Sequence, residues 1–171
     1  MNVIFKFLLT INATSWMLVV YAIKEKWTLC NIPNWIFGII LLILPILLSL
    51  FSIFLTRYLS SDTLNGCNDF TLADSEFLPV YLGYFFVSIS VPDGTTMIFL
   101  YTIVSLFTFL SQTQYFNPVF LLFGYHYYHI ITSQGTRVFV IAKGKVIRNK
   151  EYISFGNLRR INDTTYIVKK E

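Results

Sequence analysis

Residues 117–143 read NPVFLLFGYHYYHIITSQGTRVFVIAK, and the fold turns on whether the first half of this stretch crosses a membrane or forms a strand. The apolar run from Val119 to Thr132 is about 14 residues long. A membrane-spanning helix needs roughly 20. The run follows Asn117-Pro118 and is rich in Tyr, Phe and β-branched residues. Gln134-Gly135 comes next, then Arg137-Val138-Phe139-Val140-Ile141, which has no helical period. Two strand-like runs across a short Gly-containing turn predict a β-hairpin. Residues 159–163 and 165–169 predict a second, shorter one. The last third of the chain therefore reads as a small β-rich unit.

Upstream the pattern is different. Apolar residues make up 55% of the 171 residues and charged residues 13%, against about a quarter charged in an ordinary soluble domain. Asp, Glu, Lys and Arg are absent from 7–23, 35–56, 77–92 and 94–116. At 1.5 Å per residue, about 20 residues cross roughly 30 Å of hydrocarbon. The first predicted span is 3–23, with Lys6 able to reach the interface. No removable signal is evident. The second is 35–56, with Trp27 and Trp35 suited to the aromatic belt on the side they share.

The third charge-free run is short by itself. Thr71-Leu72-Ala73-Asp74 fits a capping box, and Asp74 and Glu76 would complement the helix dipole, so the predicted span is 72–91. Val91-Pro92-Asp93-Gly94 ends it and starts the fourth, 95–114, with Asp93 as N-cap and the two helices in a tight hairpin. The fold class expected is an all-α four-helix transmembrane bundle with a small β-rich C-terminal cytoplasmic domain. The division falls at 1–116 and 117–171.

Charge gives the orientation. From Arg137 onward Lys and Arg outnumber acids nine to three. With both termini cytoplasmic, eleven of the thirteen cations lie inside and only Lys24 and Lys26 outside, as the positive-inside rule favours. The chain is expected to be a multi-pass membrane protein with both termini cytoplasmic. The inner loop at 57–76 also carries four acids.

The spans contain no ionisable residue except Lys6, which argues against proton relays and ion-coupled carriers. A hydroxyl-lined pore stays open. Small and polar residues do recur at helical spacing: Gly38, Pro45, Ser49, Ser52 and Thr56 in the second span, and Tyr101, Ser105, Thr108 and Gln112 in the fourth. The third has Pro79, Gly83 and Ser90, and the first Thr10, Thr14 and Tyr21. Such stripes pack membrane helices together, either within one chain or along a homo-oligomeric seam.

No catalytic constellation, cofactor loop or metal spacing is present, so the expectation is a non-enzyme. His126 and His129 would point to opposite faces of a strand and cannot share a metal. Cys30 and Cys67 are too few for a disulfide scaffold. The sequon Asn12-Ala13-Thr14 falls inside a span, and Asn162-Asp163-Thr164 in the cytoplasm. The tail cations Arg137, Lys143, Lys145, Arg148, Lys150, Arg159 and Arg160 have three readings: a solvated surface, a protein-docking face, or contact with anionic lipid or nucleic acid. No aromatic-basic stacking pattern favours nucleic acid.

Four spans, then the run from Asn117 to Tyr125, the Ser133-Gln134-Gly135 turn, the strand 137–143 and a closing Arg160-Ile161-Asn162-Asp163…Tyr166-Ile167-Val168 resemble the KwaA family, the membrane subunit of the bacterial Kiwa anti-phage defence system. The resemblance covers nearly the whole chain and carries no catalytic motif. It implies an inner-membrane component that detects infection at the envelope and works with a cytoplasmic, DNA-binding partner. Three functional classes follow. They are a sensor and anchor recruiting a soluble effector, a channel or permease subunit, and an immunity-type membrane protein.

Overall fold

The computed structural model describes residues 2–28, 32–64, 66–111, 116–144 and 157–168. The helices are α1 (Asn2–Lys24), α2 (Asn34–Leu55), α3 (Phe77–Ser90), α4 (Gly94–Ser111) and the short α5 (Pro118–Leu122). The strands are β1 (Ser61–Asp62), β2 (Cys67–Leu72), β3 (Tyr125–Thr132), β4 (Arg137–Lys143), β5 (Leu158–Arg160) and β6 (Thr165–Val168). A 3₁₀ turn, Thr56–Tyr58, continues α2. Helices α1, α2 and α4 are long and apolar enough to cross a membrane. They coincide with the predicted segments 3–23, 35–56 and, as far as residue 111, 95–114, whose last three residues lie outside the described residues.

The third predicted span is corrected. Helix α3 begins at Phe77, not at residue 72, and has 14 residues. Thr71 and Leu72 instead belong to β2, paired with His129 and Tyr128. The Asp74 carboxylate faces the sheet, where Tyr127 N–H donates to it at 2.7 Å, so it does not cap a helix. Pro79 gives the physical reason. It lacks an N–H and is best placed in the first turn of a helix, where that donor has no partner in any case, and a start at Phe77 puts it there. The tight hairpin is also revised. Helices α2, α3 and α4 each pack on α1, and an apolar cleft of about 430 Å³ lined by Phe86, Val87, Val91, Pro92 and Leu100 lies between α3 and α4. Asp93 does cap α4, accepting from Thr96 N–H at 2.9 Å.

Helix α1 is central because it carries the polar residues. Thr10, Asn12, Thr14 and Ser15 are all buried. Polar groups away from water need partners, and α1 finds one on each neighbour. Asn12 meets Ser49 of α2 at 3.0 Å, Ser88 Oγ of α3 lies 2.9 Å from the Met17 carbonyl, and Thr14 Oγ1 is 3.3 Å from the Tyr101 hydroxyl of α4. Lys24 closes the far end by donating to the Val91 carbonyl.

The sheet has six strands in the order β1-β5-β6-β4-β3-β2. The predicted hairpins form: β3 and β4 are antiparallel, with Ile131 opposite Arg137 and Tyr125 opposite Lys143, and β5 pairs antiparallel with β6. Gly135 at φ +81° makes the first turn, a conformation that L side chains rarely adopt. One feature departs from expectation, and two more were not anticipated. Residues 118–122 form a helical turn rather than strand. Strands β4 and β6 run parallel. The edge strands β1 and β2 come from the 57–76 loop between α2 and α3. Apart from its terminal residues Arg137 and Lys143, β4 is buried throughout, as a central strand covered on both faces requires.

One sheet face, with Tyr125, Tyr127, Phe139, Ile141 and Ile167, packs against Phe5, Leu9, Phe116 and Phe120 at one end of the helices. The other carries Tyr128, Ile130, Val138, Val140, Leu158 and Tyr166. The start of α1, the end of α2 and the start of α3 therefore meet the sheet, while Lys24 and Ser90 lie at the opposite end.

The helix–sheet junction as candidate functional site

Asn117 organises the junction. Its backbone is extended, and its side chain accepts from Val119 N–H at 3.0 Å, capping α5 ahead of Pro118. Asn before Pro is a favoured helix start. The Asn117 amide Nδ2 donates to Ser49 Oγ at 2.8 Å, and Ser49 in turn meets Asn12 Oδ1 at 3.0 Å. On the sheet side Tyr127 closes a ring: its hydroxyl accepts from Asn117 N–H and donates to the Asn117 carbonyl, both at 2.9 Å. Asn12, Ser49, Asn117 and Tyr127 are each 2% exposed or less. The result is a dry chain of hydrogen bonds from the middle of α1, through α2, to the centre of the sheet. Burial pushes the Tyr127 phenol far above its ordinary range. The Asn117 N–H works against that shift and the Asp74 charge adds to it.

Two carboxylates latch the start of α3 to β3. His126 Nδ1 lies 2.6 Å from Asp74 Oδ2, and His129 Nε2 lies 3.0 Å from Glu76 Oε2. Tyr81 adds a bond from its hydroxyl to the Phe116 carbonyl at 3.0 Å. The two histidines thus hold different carboxylates. Among the described residues no group of three or more His, Cys, Asp or Glu could hold a metal ion.

The predicted packing stripes divide. Pro45, Ser49, Ser52 and Thr56 are buried on the face of α2 toward α1. Gly38 also faces α1, but an added Cβ would meet Ile23 at an ordinary 3.9 Å, so no close approach depends on it. Tyr101, Ser105 and Thr108 are half-buried, and Ser105 Oγ lies 3.4 Å from Thr14. In α3 the stripe does not pack within the chain: Pro79, Gly83 and Ser90 are exposed, and the face turned inward is Tyr81 and Ser88. Gln112 lies outside the described residues, as does Cys30.

The predicted docking cations are dispersed. Arg137 and Lys143 are exposed at opposite ends of β4. Arg159 donates to the Leu59 carbonyl at 2.8 Å, and Arg160 pairs with Asp163 at 2.6 Å. Two of the proposed contacts are therefore already engaged within the chain. Lys145, Arg148 and Lys150 lie outside the described residues.

Asn12, Asn117, Tyr127 and Asp74 were not singled out as a junction by the sequence, where Asp74 reads as a helix cap. A signal existed for two of them. Asn12 is the only amide in the first charge-free run, and Asn117-Pro118 is a helix-start pair. No curated protein and no solved structure matches the chain. A family model described as anti-phage protein KwaA matches residues 5–167. The match takes in the helices, the junction and the sheet, and the chain belongs to the KwaA family of anti-phage proteins.

Proposed function

We propose that this anti-phage protein is a non-enzymatic sensor and anchor of a bacterial inner membrane. Helices α1–α4 cross the bilayer, both termini are cytoplasmic, and the sheet lies under the inner leaflet to recruit a cytoplasmic, DNA-binding effector of the same defence system. The observation that carries this reading is the junction. A disturbance that shifts α1 against α2 strains Asn12 and Ser49, and the strain reaches the sheet through Asn117 and Tyr127. Helix α3 is the short member. Its 14 residues span about 21 Å, and local thinning of the bilayer accommodates such a mismatch. The hydroxyls that a pore would need, on Thr14, Tyr101 and Ser105, face one another within a single chain, which favours the anchor over the channel.

Two experiments test this. An impermeant thiol reagent applied to intact cells should modify Cys30 and spare Cys67, and equal labelling sinks the topology. Replacing Asn117 with Leu and Tyr127 with Phe should abolish phage protection and effector co-purification while membrane insertion persists. Full protection by that double variant would overturn the anchor reading.

A further inference from the structure

Among the described residues, the sheet-proximal end of the helices carries cations that no carboxylate claims. Arg57, exposed in the 3₁₀ turn after α2, lays its guanidinium 3.5 Å over the Phe54 ring and 4.7 Å over Tyr58. It also donates to the Tyr58 hydroxyl at 2.7 Å. Lys143, at the end of β4, stands 5.5 Å over Tyr125. Residue 143 shares the helix-facing side of β4 with Phe139 and Ile141. Both positions border the helix-facing side of the sheet, Arg57 ahead of the edge strand β1 and Lys143 at the end of β4, with β5 and β6 between those strands. Helix α5 ends just before Tyr125 and packs on α2, and Gly144 N–H donates to the Gly124 carbonyl at 3.0 Å. The acids nearest the junction are already engaged: Asp74 with His126 and Glu76 with His129. Among the described residues, Arg57 and Lys143 have no acidic partner.

Large apolar side chains flank both cations. Phe54 is 51% exposed, Tyr58 51% and Leu122 78%. Water-soluble polyanions match the charge and leave this apolar surface wet. An acidic phospholipid satisfies both, with its phosphate on the cations and its glycerol and upper acyl carbons on the rings and Leu122. Guanidinium is suited to the phosphate because its planar fork donates in pairs, and ring faces hold cations where aqueous and apolar phases meet.

We propose that Arg57 with Phe54 and Tyr58, and Lys143 with Tyr125 and Leu122, form a binding surface for anionic phospholipid headgroups that seats the sheet against the inner leaflet. The proposal rests on the membrane reading above and deepens it by naming a lipid class. Each such cation contributes about a fivefold gain in affinity for an acidic surface.

The test uses the full chain in nanodiscs of phosphatidylcholine containing graded phosphatidylglycerol, with retained lipid read by native mass spectrometry and stability by thermal melting. Phosphatidylglycerol should bind in preference to phosphatidylcholine and raise the melting temperature. Arg57→Gln and Lys143→Gln should each weaken retention about fivefold, and together about 25-fold. Lys26→Gln, at the opposite end, should change nothing. Equal retention by wild type and the double variant overturns the proposal, as does an equal melting shift from inorganic phosphate alone. A chain stripped from membranes by alkaline carbonate would overturn the membrane reading as well. Lipid-blind behaviour by a chain that resists the wash overturns this proposal alone.

Discussion

The helices and the sheet differ in what they expose and in how much polar side chain they bury. In α1 and α2 the buried positions include Thr10, Asn12, Thr14, Ser49 and Ser52, while Ile39, Ile43, Leu47, Phe51 and Phe54 are exposed. In the sheet the buried positions are Tyr128, Ile130, Val138, Val140 and Ile141, and Arg137, Thr136 and Gln134 are exposed. Hydropathy alone does not place a helix. Helix α1 and helix α4 are similarly apolar, yet half of α1's apolar stretch is buried and almost none of α4's. Helix α2 is the most apolar of the three and mostly unburied. What distinguishes α1 is its set of groups that need hydrogen bonds. Burying hydroxyls and exposing leucines is favourable against hydrocarbon, where an unpaired polar group has no water to turn to. The sheet follows the opposite rule, that of a protein against water. On the membrane reading proposed above, two solvents are written into one chain, and the boundary between them runs through Asn117.

The sharpest way to break this comparison is at that boundary. Asn117→Leu removes the cap of α5 and the donor to Ser49 and leaves buried partners unpaired, at a cost of about 4 kcal/mol. Thermal melting in detergent should show it as the largest loss of any single variant here. If Asn117→Leu melts with the wild type, the two regions are not coupled through this residue. Next comes a matched pair of arginine insertions. Phe107 of α4 is 65% exposed, and Phe107→Arg should cost about 3 kcal/mol because the proposed topology turns that face to lipid. Gln134→Arg on the sheet should stay within about 0.5 kcal/mol. Equal tolerance, read as membrane-inserted yield, would erase the difference between the two solvents.

Tyr127→Phe should cost about 2 kcal/mol by stranding the Asn117 N–H. It also has a pH signature. The folded phenol titrates well above the ordinary value of 10.0, so the unfolded chain gives up its proton first. Stability is therefore fully present below pH 10 and declines as pH rises beyond it. Phenylalanine at 127 should flatten that alkaline decline, and an unchanged slope would show that other groups cause it. The smallest effects separate two members of one stripe. Ser49→Ala should cost about 1 kcal/mol, whereas Gly38→Ala should lie within about 0.5 kcal/mol, because its new methyl meets Ile23 at 3.9 Å. A large loss at Gly38 would show a closer helix approach than this.

Residue chemistry made part of the molecule legible and hid the rest. The β3–β4 hairpin was readable because Tyr, Ile and Val runs flank Gln134-Gly135, and Asp93 because it precedes Gly94 where a new apolar run begins. Strand β2 was not. Its sequence, CNDFTL, is mostly exposed, shows no alternation strong enough to notice, and sits beside acids that mimic a helix start. The parallel pairing of β4 with β6 is a tertiary choice that no local pattern announces. In the junction, Ser49 and Ser52 could be found by their spacing. Asn12 was visible only as a void sequon, Asn117 only as a breaker, and Tyr127 only as one strand tyrosine among several.

Strands β1 and β2 precede two helices and pair with strands made long after them. Leu72 must find Tyr128, and Ser61 must find Arg159. At translation speeds of 5–20 residues per second, β2 emerges roughly 3 to 11 s before its partner exists. During that interval α3 and α4 are being synthesised and β2 waits at the ribosome with its backbone unpaired. Nascent chains stalled before residue 125 should therefore expose this segment to protease and to chaperones. Release past β4 should close it, giving the protein a late, vectorial assembly step in which the C-terminal third recruits strands made before α3.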